Sequence, residues 1–462
     1  MNGNDFNAGP GRPIISSNNN PNNYIPYEGS EKEEINLKPK RRLFRRPGFV
    51  GTFFAIIGIL VGGLGCFGII KMVGDGNCKN CGCESSLKPV TAATFNTNFL
   101  RMELDGKNIV YSPLSIRYGL SLLDAGAAGN TRTQIENILG NSDLPIYDNV
   151  QDKLSIANAV FIRANFKDNV LPSYIKKVTA NYDAEILYDS FTSSENMDSW
   201  VSGKTFGLIN TLGIQPNLNT NMVLANALAL QLDWQHKFST DNTFGMTFYK
   251  EDESEMIATT MKMDTKSEDI SYYKDDYVTM LQMPLESTDE TALEFVAVMP
   301  VGDLTSYIEN LDFSTIETAL ENMTPANTPE DGLKIYIPKF KFDYKLDFKN
   351  DLERMGMTDA FSVDDADFSR MTAANDLYVS DAVHKANIDF SEEGIKAAAV
   401  TAFVMDVKSV LPEREPQPVV INIDRPFYFM IYDKNSGTTW FSGAVYEPNL
   451  WENDMTIYQP SA

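Results

Sequence analysis

Histidine is nearly missing: His236 and His384 are the only two in 462 residues. A His-rich metal centre is therefore excluded, and any two-histidine mechanism would have to use both. Cysteine is scarce as well. Four in a chain of this length do not make a disulfide scaffold, so an apolar core must hold the fold. Basic charge is in deficit, with 39 Lys and Arg against 63 Asp and Glu and a formal net charge of -24. Phosphate binding needs a net basic face, which argues against nucleic acid as a partner. Catalytic signatures are missing too: there is no GxSxG elbow, HExxH pair or phosphate loop. Ser112, Ser115 and either His could be imagined as nucleophile and base, but buried Ser and His are more often structural. Asp364, Asp365 and Asp367 lack an EF-hand glycine at the required offset, so they read as a solvated turn rather than a calcium loop. The chain is expected to be no enzyme and to need no cofactor.

What is present begins with a membrane signal. Residues 1–36 are rich in Asn, Pro and Gly and bury too little to offset ordering entropy, so disorder is expected there. Lys38, Lys40, Arg41, Arg42, Arg45 and Arg46 follow with no acid among them. From Gly48 to Ile70 there is no charge at all, and Lys71 closes the run. At about 1.5 Å per residue such a helix spans a hydrocarbon layer of about 30 Å. Lys/Arg-rich flanks stay in the cytoplasm. The reading is a single-pass cell-membrane protein with a cytoplasmic tail (1–47), a transmembrane helix (48–70) and everything later outside the cytoplasm. A cleaved signal peptide is the alternative, although the apolar run exceeds a signal core of about 7–15 residues. A lipoprotein cut at Cys66 would sever the span almost at its end. Gly58 and Gly62 form a small-xxx-small pair that could pack two spans, or simply reflect composition. Residues 71–88 form a stalk carrying Cys78, Cys81 and Cys83. Three thiols cannot close a four-ligand zinc site, and outside the cytoplasm disulfides are expected, with one thiol left over.

Residues 89–450 read as one large domain, followed by a tail (451–462). Phe95, Phe99 and Met102 recur at helical spacing before the turn at Asp105-Gly106. Thr131 and Gln134 have capping-box spacing, opening a helix that turns Ile135, Ile138 and Leu139 inward and stops at Gly140. Strand-like runs cover 108–111, 157–162, 222–232, 293–299, 333–337, 427–432 and 439–445. Helices and strands interleave without a βαβ rhythm, which favours α+β.

Motifs in this domain then accumulate in order. Asn108-Ile-Val-Tyr-Ser112-Pro113-Leu-Ser115-Ile116 is followed by Gly126-Ala127-x-Gly129-Asn-Thr131. Asn158-Ala-Val-Phe161, Trp200-Val201 and Lys204-Thr205 come next, then Asn226-Ala227 with Trp234 and Phe238. Pro338-Lys-Phe340, Leu352 with Met355-Gly356, and Ala366-Asp367-Phe368-Ser369 continue the series. His384-Lys385-Ala386, Glu392-Glu393-Gly394, Arg425-Pro426-Phe427, Phe441-x-Gly443 and Pro448 close it. Taken together the chain resembles the serpin family from about Phe95 to Pro448. The resemblance implies a three-sheet α+β domain with surrounding helices and an exposed reactive loop. A target protease cuts the loop and is held as an acyl-enzyme while the cut segment enters the largest sheet as a new strand.

The loop carries a pattern of its own. From Gly394 to Val404 it is small, mostly apolar and free of Pro, as a segment sliding between two strands should be. At period 2, Ile395, Ala397, Ala399, Thr401, Phe403 and Met405 share one face, while Lys396, Ala398 and Asp406 fall on the other. On pattern alone an ordinary half-buried strand fits as well. With the resemblance, Glu392, Glu393, Gly394, Ile395, Lys396, Ala397, Ala398 and Ala399 become the hinge. The family's usual spacing puts the reactive bond between Lys408 and Ser409, with Arg414 as the alternative. Either basic residue suits the acidic pocket of a trypsin-like serine protease, the expected extracellular partner. The resemblance also implies a buried polar cluster beneath the opening strands, at Asn108, Ser112, Ser115, Asn226 and His384. Inserting about ten ladder bonds at roughly 0.5–1.5 kcal/mol each, with Ile395, Phe403 and Met405 buried, would release on the order of 10–20 kcal/mol before the cost of opening the sheet. The expected function is a suicide-substrate protease inhibitor. The alternative is a non-inhibitory binding or chaperone-like member whose loop is only cleaved.

Overall fold

The computed structural model describes residues 92–140, 144–288, 291–373, 377–395 and 417–452. The tail, basic cluster, span and Cys-containing stalk lie outside the described residues, as do Lys396, Ala397, Ala398, Ala399, Lys408, Ser409 and Arg414. Among the described residues no helix is long and apolar enough to cross a membrane.

Each helix near the opening sheet has a local cause. Ser112 caps Pro113–Gly126: its hydroxyl accepts the Ser115 N–H, and Pro113 sits at the first helical position, where its missing donor costs nothing. The buried Leu114, Ile116 and Leu120 then face the core. Ala92–Glu103 buries Phe95 and Phe99 completely, as their spacing predicts. Gly129–Leu139 buries Ile135 and Ile138 and ends at Gly140 with φ 69°. Its start differs from the expected capping box. Ala128 is the cap, and Thr131 and Gln134 lie inside the helix and bond elsewhere. Thr131 Oγ1 accepts the Asp367 N–H, and Gln134 Oε1 accepts the Thr358 and Asp359 N–H groups. Tertiary partners have taken over both side chains. Asp367 in turn accepts the Ser369 N–H and Asp365 the Ser362 hydroxyl, which is a turn.

Every strand-like run read from the sequence is a strand. Ile109–Tyr111, Thr438–Val445, Phe427–Asp433, Leu293–Pro300, Val278–Pro284, Ser271–Lys274 and Thr324–Pro325 form a seven-stranded antiparallel sheet in that order. Val419–Asn422, Leu333–Pro338, Glu255–Thr265 and Thr243–Tyr249 form a four-stranded sheet, with Val419–Asn422 parallel to its neighbour. Ala184–Asp189, Leu154–Arg163 and Met222–Leu230 make a three-stranded sheet. Phe340–Asp347, Val383–Phe390, Gly394–Ile395 and Leu232–Asp233 make the last.

Four sheets among the described residues replace the three that the resemblance implied, and the difference has a physical origin. The three-stranded sheet and the last sheet share one run of chain, broken only at Gln231. Joined along Met222–Leu230 and Val383–Phe390 they would be one sheet. Among the described residues those two strands exchange no ladder bonds. Aromatic packing fills the head of this region. Phe340 stacks on Phe390 at 4.6 Å between ring centroids, and Phe390 meets Phe295 at 4.7 Å and Trp234 at 5.2 Å. Each such buried ring contributes roughly 1.5–3 kcal/mol.

Candidate site: the gap between two strands and the hinge in its mouth

Val383–Phe390 alternates strictly, with His384, Ala386, Ile388 and Phe390 buried and the residues between them half-buried. One edge pairs with Phe340–Asp347 over eight residues. On the other edge, among the described residues, Ile395 alone is paired, opposite Phe390. Ile395 in turn lies opposite Leu232, and Gly394 opposite Asp233. Gly394 and Ile395, two residues expected to belong to the hinge, therefore form a short strand at the mouth of the gap. Ile395 is 5% exposed, so it points into the core with Phe390 and Leu232. The sheet that holds Gly394–Ile395 is not the seven-stranded one. The pair stands at the seam between the two smaller sheets, where among the described residues Met222–Leu230 and Val383–Phe390 share no ladder.

Gly394 is dictated by closeness. A Cβ there would stand 2.2 Å from the Leu232 carbonyl oxygen and 2.6 Å from Asp233 Cα, which no side chain tolerates. The acids before it anchor the turn. Glu392 accepts from Lys339 Nζ at 2.7 Å and from Thr243 Oγ1 at 2.7 Å. Burial pushes the Glu392 carboxyl up, but Lys339 and Thr243 outweigh it and leave it below the ordinary range. Glu393 takes Lys237 at 2.9 Å, and Lys237 also bonds Asp233 at 2.7 Å; these hydrogen bonds raise the Lys237 ammonium. Backbone bonds from Trp234 N–H to Glu393 O (2.8 Å) and from Phe238 N–H to Glu392 O (3.1 Å) complete the anchor. The Trp234 indole donates to Ser391 O at 2.8 Å.

Deeper in the gap lies the polar cluster. The Ser112 N–H donates to His384 Nε2 at 3.0 Å, and the Ser112 hydroxyl donates to Trp440 O at 2.6 Å. The Ser115 hydroxyl donates to Asn226 Oδ1, whose amide donates to Asn158 Oδ1 at 2.8 Å. The cluster thus bridges the helix and both unpaired strands. His384 lacks a charged partner among these groups, and burial lowers its pKa to about 4. Asn108 is not part of it, contrary to the sequence expectation. Its side chain donates to Glu447 O and accepts the Tyr446 and Glu447 N–H groups, tying down the chain after Thr438–Val445. Asn158 takes the place in the network that Asn108 was expected to hold. It was visible in the Asn158-Ala-Val-Phe161 motif, but only the pairing of Asn158 with Asn226 across two strands brings them together.

Below these groups the two strands and the helix enclose a cavity of about 180 Å³, lined by Leu120, Leu123, Met222, Leu224, Val379 and His384 among others. Much of its lining is apolar, and the Ser115, Asn226 and His384 side chains in it are already hydrogen-bonded. The Ser112–His384 contact runs through a backbone N–H, and the hydroxyl is aimed elsewhere, so the pair is not wired as nucleophile and base. His236 is at the surface, where Ser267 Oγ and Asp269 Oδ2 both meet the same Nε2. Among the described residues no group of His, Cys, Asp and Glu side chains is placed to hold a metal.

Comparison with known proteins agrees with this geometry. A family model described as serpin (serine protease inhibitor) matches residues 92–448. Iripin-8 from Ixodes ricinus is 28% identical over 380 residues, spanning 74% of this chain and 88% of its own. Intracellular coagulation inhibitor 2 of Tachypleus tridentatus is 30% identical over 374 residues, spanning 75% and 87%. The thermophilic serpin tengpin, solved in its native state, superposes with a TM-score of 0.65 at 24% identity, covering 81% of this chain and 96% of its own. Thyroxine-binding globulin in complex with thyroxine gives 0.64 at 25% identity, covering 79% and 99%.

Proposed function

We propose that this chain, which belongs to the serpin family, is a suicide-substrate inhibitor that captures a trypsin-like serine protease by running its cut loop into the gap. The observation that carries this reading is the pairing of Ile395 with Phe390 on one side and Leu232 on the other, at the mouth of two otherwise unpaired strand edges. Continuing that antiparallel register would set Ala397 between Ile388 and Leu230, and Ala399 between Ala386 and Leu228. Thr401 would then fall between His384 and Asn226, and Met405 opposite Met222. The burial of Ile395 supports a phase in which the small apolar face of the loop would turn to the core and Lys396 to solvent.

The register also revises the energetics. Ile395 is already buried, and among the described residues the two edges share no ladder bonds that insertion would have to break, so part of the cost of opening would be met before the protease arrives. About ten ladder bonds and the burial of Phe403 and Met405 remain to be gained, on the order of 10 kcal/mol or more. That rivals the net stability of a whole domain.

Lys408, or Arg414 as the second choice, would enter the acidic specificity pocket of the target. Pro412 and Pro416 disfavour insertion beyond Lys408, because Pro cannot donate to a ladder. The span at 48–70 would hold the domain at the cell membrane with the inhibitor outside the cytoplasm. Incubation of the full chain with trypsin tests the reading. A denaturant-resistant adduct at the summed mass is expected, and mass spectrometry of the released peptide should map the cut to Lys408–Ser409. Clean cleavage with full survival of trypsin activity would instead establish the binding or chaperone-like alternative.

A further inference from the structure

The chain runs on past the end of the family match at Pro448, and its next residues do structural work. Asn449–Trp451 lies antiparallel to residues 257–259. The Thr259 N–H donates to Asn449 O at 2.8 Å, the Trp451 N–H to Ile257 O at 2.9 Å, and Thr259 Oγ1 to Leu450 O at 2.9 Å. The same segment bonds a third stretch of chain. The Asn449 N–H donates to Lys339 O at 2.9 Å, and Asn449 Oδ1 accepts the Lys341 N–H at 3.1 Å. Lys339 itself donates to Thr259 O at 2.8 Å. The half-buried Trp451 ring lies over Gly245, where a Cβ would approach it to 2.6 Å, so a residue without a side chain makes its slot.

Lys339 is a strategic place to be held. It is the crossing between Leu333–Pro338, which pairs with Val419–Asn422 just after the loop, and Phe340–Asp347 in the sheet that the hinge enters. Its ammonium holds Glu392 at 2.7 Å, two residues before Gly394. The junction therefore bonds the chain before the loop directly and adjoins the strand that pairs with the chain after it. Separating the strands further must turn Phe340–Asp347 relative to the four-stranded sheet, and the Asn449 bonds resist that turn because they join the two.

We propose that Asn449–Trp451 is a strap that fixes the crossing at Lys339 and so sets the lifetime of the uncut molecule against premature entry of its own loop. The proposal rests on the reading of the gap as the acceptor of the loop. Trp451→Ala and Trp451→Phe, made in the full chain, test it with two readouts. The first is survival of trypsin-trapping activity at 37 °C; the second is hydrogen exchange of amides 339–345. In Trp451→Ala the half-life should fall roughly fivefold or more and exchange should accelerate by a similar factor, with the initial trapping stoichiometry unchanged. Trp451→Phe, whose ring still fills the slot, should recover most of both. Unchanged lifetime and exchange in Trp451→Ala overturn the strap, as does a Phe variant no better than Ala. Should the unaltered chain never trap trypsin, the inhibitor reading fails. Exchange at 339–345 then still decides the strap: acceleration in the Ala variant supports it and no change overturns it.

Discussion

A neutral imidazole is the condition on which the polar cluster beneath the gap depends. His384 Nε2 accepts the Ser112 N–H, and a protonated ring could not. Its pKa of about 4 lies below the usual value of about 6.5, so the unfolded chain binds the proton more readily. The stability this group contributes is therefore complete above about pH 6.5 and is lost as pH falls toward about 4, on the order of 3 kcal/mol in all. His384→Gln keeps an acceptor and removes the titration. The urea midpoint of the unaltered protein should drop across that window faster than the variant's, and parallel slopes would refute the assignment. The serine, asparagine and histidine positions Ser112, Ser115, Asn226 and His384 were legible from motifs. The exchange of Asn108 for Asn158 was not, because it depends on which strands run side by side.

At the scale of elements, strands were read where apolar runs were long, as in Leu293–Pro300. Phe340–Asp347 and Val383–Phe390 were missed, since their alternate Lys and Asp residues dilute the apolar signal of a one-sided strand. Those are two of the strands that matter most for the site. The inhibitor reading assigns the loop a phase, and with it a test. Were the register of Ile395 continued, Ala399 would come beside Ala386 and Leu228, both buried, and Ala399→Glu would carry a charge into the core. The uncut protein should melt within about 1 °C of the unaltered one. Trapping of trypsin should fall at least tenfold in favour of simple cleavage, because insertion stops part-way. Full trapping stoichiometry in this variant would show that residue 399 faces the other way.

For the whole molecule, the inhibitor reading makes the edges of Met222–Leu230 and Val383–Phe390, which share no ladder among the described residues, a store of free energy. On that reading, cutting the loop anywhere from residue 403 to 414 would free it to complete the ladder. Calorimetry should then show the nicked protein melting about 10 °C or more above the intact one, the shift expected when about 10 kcal/mol is added to a domain of this size. A melting temperature that stays put after nicking would mean that the strands are held apart for another reason.

The sequence by itself determined the class of fold, the family, the small and Pro-free character of residues 394–404, and the acid pair that precedes them. These follow from local propensity and from side-chain size, which need no knowledge of neighbours. Tertiary structure alone decided which sheet seam lacks a ladder among the described residues, that Ile395 occupies its mouth, and that Asn158 replaces Asn108 in the cluster. It also decided that Lys339 meets Glu392, two sheets and Asn449 at one point. All of these are pairings between residues far apart in the chain, and a hydrogen-bond register between distant strands leaves no period in either one.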